Sequence, residues 1–128
     1  YLASETGANP RVVELFALFH DSCRASDGRD PQHGPRGAVL AESMREQALF
    51  RCSDAELELL VVACHGHTHE RTHADPTIAA CWDADRLDLP RVGIDPAPHR
   101  LCTRPARRRD VIAAAKARAE AWWARTYL

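Results

Sequence analysis

The sequence predicts an all-α fold, a single-domain bundle of about five or more helices. Apolar residues recur at helical spacing in several segments, helix-start signals precede most of them, and no alternating apolar run is long enough to suggest a strand. The 128 residues fit one domain spanning 1–128. A composition of 45% hydrophobic and 27% charged residues is typical of a globular protein.

The first two long helices are predicted from residues 12–50. Residues 12–20 read VVELFALFH, which is apolar nearly all round and predicts a buried central helix. Asp30 followed by Pro31 is an N-cap signal with proline at the first helical position, so a second helix should begin there. The residues that share its inner face at helical spacing are His33, Gly37, Leu40, Ala41, Met44 and Ala48.

Two further helices have clear start signals. Ser53 with Glu56 forms a capping-box pattern and opens a helix that should run through about Thr68. Its predicted inner stripe consists of Leu57, Leu60, Val61, Cys64 and then His67 or Thr68. Asp75 followed by Pro76 repeats the N-cap signal. The next inner face is expected to contain Ile78, Cys81, Trp82 and Asp85.

The C-terminal part is basic. Residues 90–105 carry four prolines and one glycine and predict a long loop, and a final helix should run from about Pro105 to Thr126. Residues 99–128 hold eight basic and two acidic residues, a net +6, while residues 1–98 hold nine and sixteen, a net −7. We interpret 105–128 as a basic helix on an acidic body. Trp122 and Trp123 are either core residues or an interface through which the chain could form a homo-oligomer.

Composition excludes several classes of protein. The net charge of −1 argues against a nucleic-acid binder that relies on bulk positive charge. No apolar run approaches the roughly 20 residues that span a bilayer, so no membrane role is expected. The five cysteines form no CxxC pair, so neither a zinc ribbon nor a redox motif is indicated. Reduced thiols fit a cytoplasmic location.

Polar residues on the apolar faces indicate where chemistry could occur. A carboxylate that faces a core needs a partner or a metal, because burying an unpaired charge is costly. Each such residue alone is more often a cap or a hydrogen-bonded core group. Here, however, four different helices each place an imidazole or a carboxylate on an inner face. They are His20 with Asp21, His33, His67 and Asp85. Imidazole with carboxylate is a ligand set suited to Fe, Mn, Zn, Ni or Co.

The segments ALFHDSCR, HGPRGA, ACHGHT and DPTIAACWDADRLDL resemble the HD-domain superfamily of metal-dependent phosphohydrolases over residues 12–89. The resemblance implies that His20 and Asp21 are the His-Asp pair and that Asp85 is the distal aspartate. His33 and His67 match the extra histidines of members with a second metal, in which Asp21 would bridge the ions. The expected cofactor is therefore one or two divalent ions, a transition metal or Mg.

Two features complicate the expected metal site. The family pattern begins with a histidine on an earlier helix, and residues 1–19 contain none. Either the first family helix lies upstream of Tyr1, which the start at Tyr1 favours and which we expect, or the site is degenerate. The run HGHTHERTH offers a competing zinc site, because His65, His69 and His73 are spaced i, i+4; His65 and His69 are second choices as ligands.

The implied function is hydrolysis of a phosphomonoester or phosphodiester by metal-activated water, with a small phosphorylated, nucleotide-like substrate. Asp21 is a candidate catalytic residue, and Arg24, Arg36 and Arg86 are candidates for neutralising the phosphoryl oxygens, with Arg91 as a fourth. The alternative is a non-catalytic HD-like module that binds a metal or a nucleotide. A third hypothesis is an interaction protein that uses the basic C-terminal helix.

Overall fold

The computed structural model describes residues 1–26 and 28–128, and within them it contains helices and no strand. The all-α prediction is therefore confirmed. The α-helices are α1 (Leu2–Thr6), α2 (Pro10–Phe19), α3 (His33–Glu46), α4 (Asp54–Gly66), α5 (Pro76–Leu87) and α6 (Arg109–Tyr127). Two short 3₁₀ turns, Leu89–Val92 and Pro98–Arg100, lie in the segment predicted as a loop.

The starts of α2, α4 and α5 are tied together by their caps. The side chain of Asn9 accepts hydrogen bonds from the first turn of α2, while its Nδ2 donates to Glu56 Oε2 over 2.9 Å. Glu56 belongs to the capping box with Ser53, in which both predicted bonds form. The backbone N–H of Asn9 donates to Thr77 Oγ1 over 2.9 Å, next to the predicted cap of α5, Asp75. Three helices therefore begin at one end of the bundle.

This common starting point determines which residues meet at the other end. His20 follows α2, His67 follows α4, and Asp85 lies in the last turn of α5. At ~1.5 Å per residue, these positions lie about 15 to 21 Å along their helices from the caps. The three side chains are thus delivered to the same end of the bundle.

The main core lies among α2, α3, α4 and α5. Its buried members include Phe16, Leu60 and Trp82, and the Trp82 indole N–H donates to the backbone oxygen of Ala63 over 2.9 Å. Helix α2 contacts α1, α3, α4 and α5, so its central position agrees with the prediction. It is not buried all round, however, because Leu18 is 69% exposed.

Helix α3 differs from its prediction at both ends. It begins at His33 and not at Pro31, with no side-chain cap on its first turn. The carboxylate of Asp30 instead accepts from the backbone N–H of Ala25 and from Arg36, which fixes the preceding loop. Ala48, expected on the inner face, is exposed beyond the helix end and has φ 58°.

A buried carboxylate anchors the loop before α6. Asp83 is 0% exposed and accepts hydrogen bonds from Cys102 N, Thr103 N and Thr103 Oγ1 at 2.6, 2.7 and 2.7 Å. The chain turns here, so α6 begins at Arg109 and not at Pro105. A second core cluster joins α1, α5, this loop and α6, and it consists of Leu2, Ala8, Ala80, Leu87, Leu101, Ala106 and Ala115. In the described part of the chain, no helix is both long enough and apolar enough to cross a membrane.

We expect Asp83→Ala to lower the free energy of unfolding by about 3 kcal/mol, because it leaves buried donors without an acceptor. Asp95→Ala is the matched control: its carboxylate is 79% exposed and pairs with Lys116, so its loss should cost less than about 1 kcal/mol. Urea unfolding of both variants measures the difference. Equal stabilities would contradict the anchoring role of Asp83.

Candidate metal centre

His20 lies directly after α2 with its ring stacked on Phe16, the centroids 4.5 Å apart and the planes 15° apart. Its Nδ1 lies 2.8 Å from the backbone oxygen of Phe16. Its Nε2 lies 3.1 Å from Asp21 Oδ2 and 3.2 Å from Asp85 Oδ1. The two residues that directly follow α2 and the last turn of α5 thus present one imidazole and two carboxylates to a common point.

His33 and His67 meet behind this point. Nδ1 of His33 bonds to the backbone oxygen of Asp30, and Nδ1 of His67 bonds to that of Cys64 over 2.7 Å. Their Nε2 atoms are 2.9 Å apart. Asp21 Oδ1 lies 3.0 Å from Nε2 of His33 and 3.6 Å from Nε2 of His67. Both rings are buried.

The three imidazoles are all oriented in the same way. In each ring Nδ1 faces a backbone carbonyl oxygen, which can only accept a hydrogen bond, so Nδ1 must carry the proton. In the neutral ring Nε2 is then a bare acceptor. Nε2 of His20 faces two ionised carboxylates, and the Nε2 atoms of His33 and His67 face each other and Asp21; all of these are acceptors, and Nη1 of Arg24 also lies 3.1 Å from Nε2 of His33. The cluster therefore brings several electron-pair donors close together, and a cation among them would relieve their mutual repulsion.

A divalent metal ion fits this donor set. Metal-binding histidines characteristically donate the second ring N–H to a carbonyl or carboxylate, which fixes the tautomer and the ring direction. Two groups of possible ligands have donor atoms within 4.8 Å of one another: His20, Asp21 and Asp85, and Asp21, His33 and His67. The two groups share Asp21, whose Oδ2 faces the first and whose Oδ1 faces the second.

The pKa values of His20 and Asp21 are shifted in the directions that favour a positive charge in the cluster. Burial of the His20 ring disfavours its charged form, but the hydrogen bonds and charges of Asp21 and Asp85 outweigh burial and raise the pKa of His20 to about 10. Hydrogen bonds from His20 and His67 hold the pKa of Asp21 well below its usual range. A proton and a metal ion would compete for the same atoms.

Two glycines of α3 allow the helices to approach closely enough to form the second group. A Cβ on Gly34 would collide with the backbone oxygen of Cys64 and lie 3.1 Å from His67 Nδ1. A Cβ on Gly37 would collide with the backbone oxygen of Phe19. Sequence reasoning placed Gly37 on the inner face but missed the role of Gly34; the spacing of two glycines in HGPRG is the signal that could have indicated it.

Of the four candidate arginines, Arg24 lies beside the cluster. Its Nη1 is 3.9 Å from Asp21 Oδ1 and 3.1 Å from His33 Nε2, and its Nη2 donates to the backbone oxygen of Gly28. Arg36 is directed elsewhere: it donates to the backbone oxygen of Cys23 and to the Asp30 carboxylate.

Arg86 also lies apart from the cluster, although it adjoins Asp85 in sequence. Within the described residues its guanidinium donates to the backbone oxygens of Glu70, Arg71 and Arg100 and to Cys102 Sγ. These bonds hold two loops against α5. A direct catalytic role for Arg86 therefore has no support in its position.

The competing histidine run does not gather donor atoms. His65, His69 and His73 are exposed, and the rings of His65 and His69 have centroids 6.3 Å apart. Within residues 1–26 and 28–128, none of the three belongs to a convergent ligand group. Nδ1 of His73 instead accepts from the backbone N–H of Asp75.

A cleft of about 1120 Å³ opens beside the first ligand group, between α2, α5 and α6. His20, Asp21 and Asp85 line it, and so does Arg91. His33 and His67 are not among its lining residues within the described chain, so the second ligand group lies behind the first as seen from the cleft.

Fold and site together define an all-α protein with two adjoining groups of potential metal ligands. Comparison of the chain with models of known protein families, with curated proteins and with solved structures finds no significant match.

We expect Gly34→Ala to reduce the free energy of unfolding by about 2 kcal/mol, because the added methyl group must push α3 away from α4. In Gly28→Ala, the added Cβ would meet only Ser26 Oγ at 3.9 Å, so this control should keep wild-type stability. Urea unfolding followed by circular dichroism measures both. A stable Gly34→Ala protein with unchanged imidazole NMR shifts for His67 would contradict the close approach.

Proposed function

We propose that the protein is a metal-dependent phosphohydrolase that cleaves a phosphomonoester or phosphodiester, with a nucleotide-like compound as substrate. The observation that carries the proposal is the convergence of three Nε2 atoms and two carboxylates, with every Nδ1 bonded to a backbone carbonyl. The resemblance to the HD-domain superfamily gives the same five residues.

Each ligand group would hold one ion. His20 and Asp85 would hold the first and His33 and His67 the second, while Asp21 would be a ligand in both groups. Imidazole ligands favour Fe, Mn, Zn, Ni or Co, and Mg is the weaker candidate. A divalent ion here supplies Lewis acidity, which lowers the pKa of a bound water and draws charge from a phosphoryl oxygen.

The cleft determines the side from which the substrate arrives. In the part of the chain that the structure describes, His20, Asp21 and Asp85 line it and His33 and His67 do not, so the phosphate ester would approach between α2 and α5, with the two buried histidines behind. His33 and His67 are buried, which restricts water on the inner side. The chain therefore orients the scissile group towards His20, Asp21 and Asp85.

Arg24 favours phosphate over other hydrolysable groups. Metal pairs that share a carboxylate occur in phosphatases and nucleases but also in aminopeptidases, so the ligands alone do not select a reaction. The Arg24 guanidinium lies beside Asp21 and His33 and is not among the residues that line the cleft within the described chain. Its role would be to offset, from beside Asp21, the negative charge that grows on the phosphoryl oxygens during cleavage.

The proposal is tested by assaying p-nitrophenyl phosphate, bis(p-nitrophenyl) phosphate and the nucleoside monophosphates with Mn, Fe, Co, Ni, Zn or Mg. We expect hydrolysis by the wild type and a fall of about 10²-fold in kcat for Arg24→Gln, as for loss of one transition-state donor. Arg29→Gln is the control, because Arg29 is an exposed arginine of the same loop. Ion binding without turnover of any ester would contradict the proposal and favour a regulatory binding module.

Metal content of variants tests the shared ligand separately from turnover. We expect Asp21→Ala to lose both ions, His33→Ala to lose only the second and Asp85→Ala only the first, because Asp21 alone belongs to both groups. Elemental analysis after loading and gel filtration gives the ratio of ions to protein. Undiminished metal content in Asp21→Ala would exclude a bridging role.

A further inference from the structure

The far side of the cleft carries cationic groups that the metal-ligand groups do not explain. Helix α6 lines the cleft with residues spaced three, four and seven apart, the pattern of one helix face. These are Val111, Ala114, Ala115, Arg118 and Trp122; the carboxylate of Asp110 in the first turn of α6 also lines the cleft. This face carries apolar side chains from Val111 to Ala115, and it ends in the guanidinium of Arg118 and the indole of Trp122.

Arg91 is held in place on this side. Its guanidinium lies 5.4 Å from the centre of the Trp122 ring and pairs with Asp88 over 3.0 Å. Its backbone oxygen accepts from the indole N–H of Trp123 over 2.8 Å. The turn Leu89–Val92 is thereby attached to α6, and the Arg91 charge is fixed at the edge of the cleft before any ligand arrives.

Arg118 lies one turn before Trp122 on the same face. Of the arginines that line the cleft, Arg91 pairs with Asp88 and Arg108 pairs with Asp110 over 2.8 Å. Within residues 1–26 and 28–128, Arg118 has no carboxylate within 4.0 Å and no hydrogen bond from its side chain. Asp88 therefore neutralises Arg91 and Asp110 neutralises Arg108, while Arg118 is left without an ion pair within these residues.

The size of the cleft agrees with a ligand that reaches this side. A volume of about 1120 Å³ exceeds the ~300–1,000 Å³ of typical small-molecule sites and is far more than a phosphate ion fills. A phosphate at His20 and Asp85 would leave the surface of α6 uncovered. Ala114 and Ala115, which line the same cleft, offer an apolar surface to a carbon framework that links two charged ends.

From these observations we propose a second anion subsite, formed by Arg118 and Arg91, in the same cleft as the first metal-ligand group. The substrate is then an organic phosphate with a second anionic group, a phosphate or a carboxylate, separated from the first by a carbon framework. This inference rests on the proposed phosphohydrolase function, since it assumes that the scissile phosphate lies at the metal-ligand groups. Arg118 binds the second anion, and Arg91 adds a fixed charge beside it.

The test uses alkane-α,ω-bisphosphonates of one to eight methylene groups, which are not hydrolysed, with alkyl monophosphonates of equal length as reference. Calorimetry on the manganese-loaded 128-residue protein gives their dissociation constants. We expect at least one bisphosphonate to bind at least tenfold more tightly than its monophosphonate. Arg118→Gln should remove that gain, and Arg118→Lys should keep part of it. Arg125→Gln, an exposed arginine of α6 outside the cleft, should keep all of it.

The outcomes separate this inference from the proposed function. Ester hydrolysis with no gain at any length, or with a gain that survives Arg118→Gln, overturns the subsite and leaves the phosphohydrolase proposal standing. A gain that depends on Arg118, without hydrolysis of any ester, supports the subsite as a binding site and overturns the catalytic proposal. Loss of the gain in Arg125→Gln as well would show a general charge effect and would also overturn the subsite.

Discussion

The site depends on the hydrogen bonds that fix three imidazole rings with their Nδ1 protons on backbone carbonyls. Each bond selects a tautomer, and each selected tautomer turns a bare Nε2 towards other electron-pair donors. Neutral histidines and ionised aspartates so arranged repel one another unless a positive charge lies among them. The raised pKa of His20, about 10, is the response of the protein to that requirement when a proton is the available cation. A divalent ion meets the same requirement with more charge and with directed bonds.

The helical framework creates this arrangement through ordinary local chemistry. Asn9, Glu56 and Thr77 connect the caps of three helices, so residues at similar distances along them come together at the far end. Helix α3 contributes to the site with its first turn, because Gly34 in that turn permits close contact with the backbone of α4. Asp83 anchors the loop that leads into α6 and thereby fixes where that helix begins. The bundle thus contains a cleft that is lined both by α6 and by the metal-ligand residues His20, Asp21 and Asp85.

Much of this could be predicted from the sequence, because the relevant signals are local. The capping box at Ser53 and the Asp75 cap are short patterns, and helical periodicity places His67 and Asp85 on inner faces. The remainder depends on partners that are distant in sequence. Nothing in the sequence around Asp83 indicates that its carboxylate accepts hydrogen bonds from Cys102 and Thr103. Arg86 adjoins Asp85 in sequence, yet its guanidinium turns towards loop carbonyls, and no periodicity could indicate that.

The central claim is that the five converging side chains hold metal ions, and anomalous diffraction tests it most directly. Crystals grown with cobalt and measured on both sides of its absorption edge would locate every ordered ion. The account predicts one peak bounded by His20, Asp21 and Asp85 and a second bounded by Asp21, His33 and His67. Cobalt bound only at the exposed histidines of residues 65–73, or no peak at either ligand group, would contradict it.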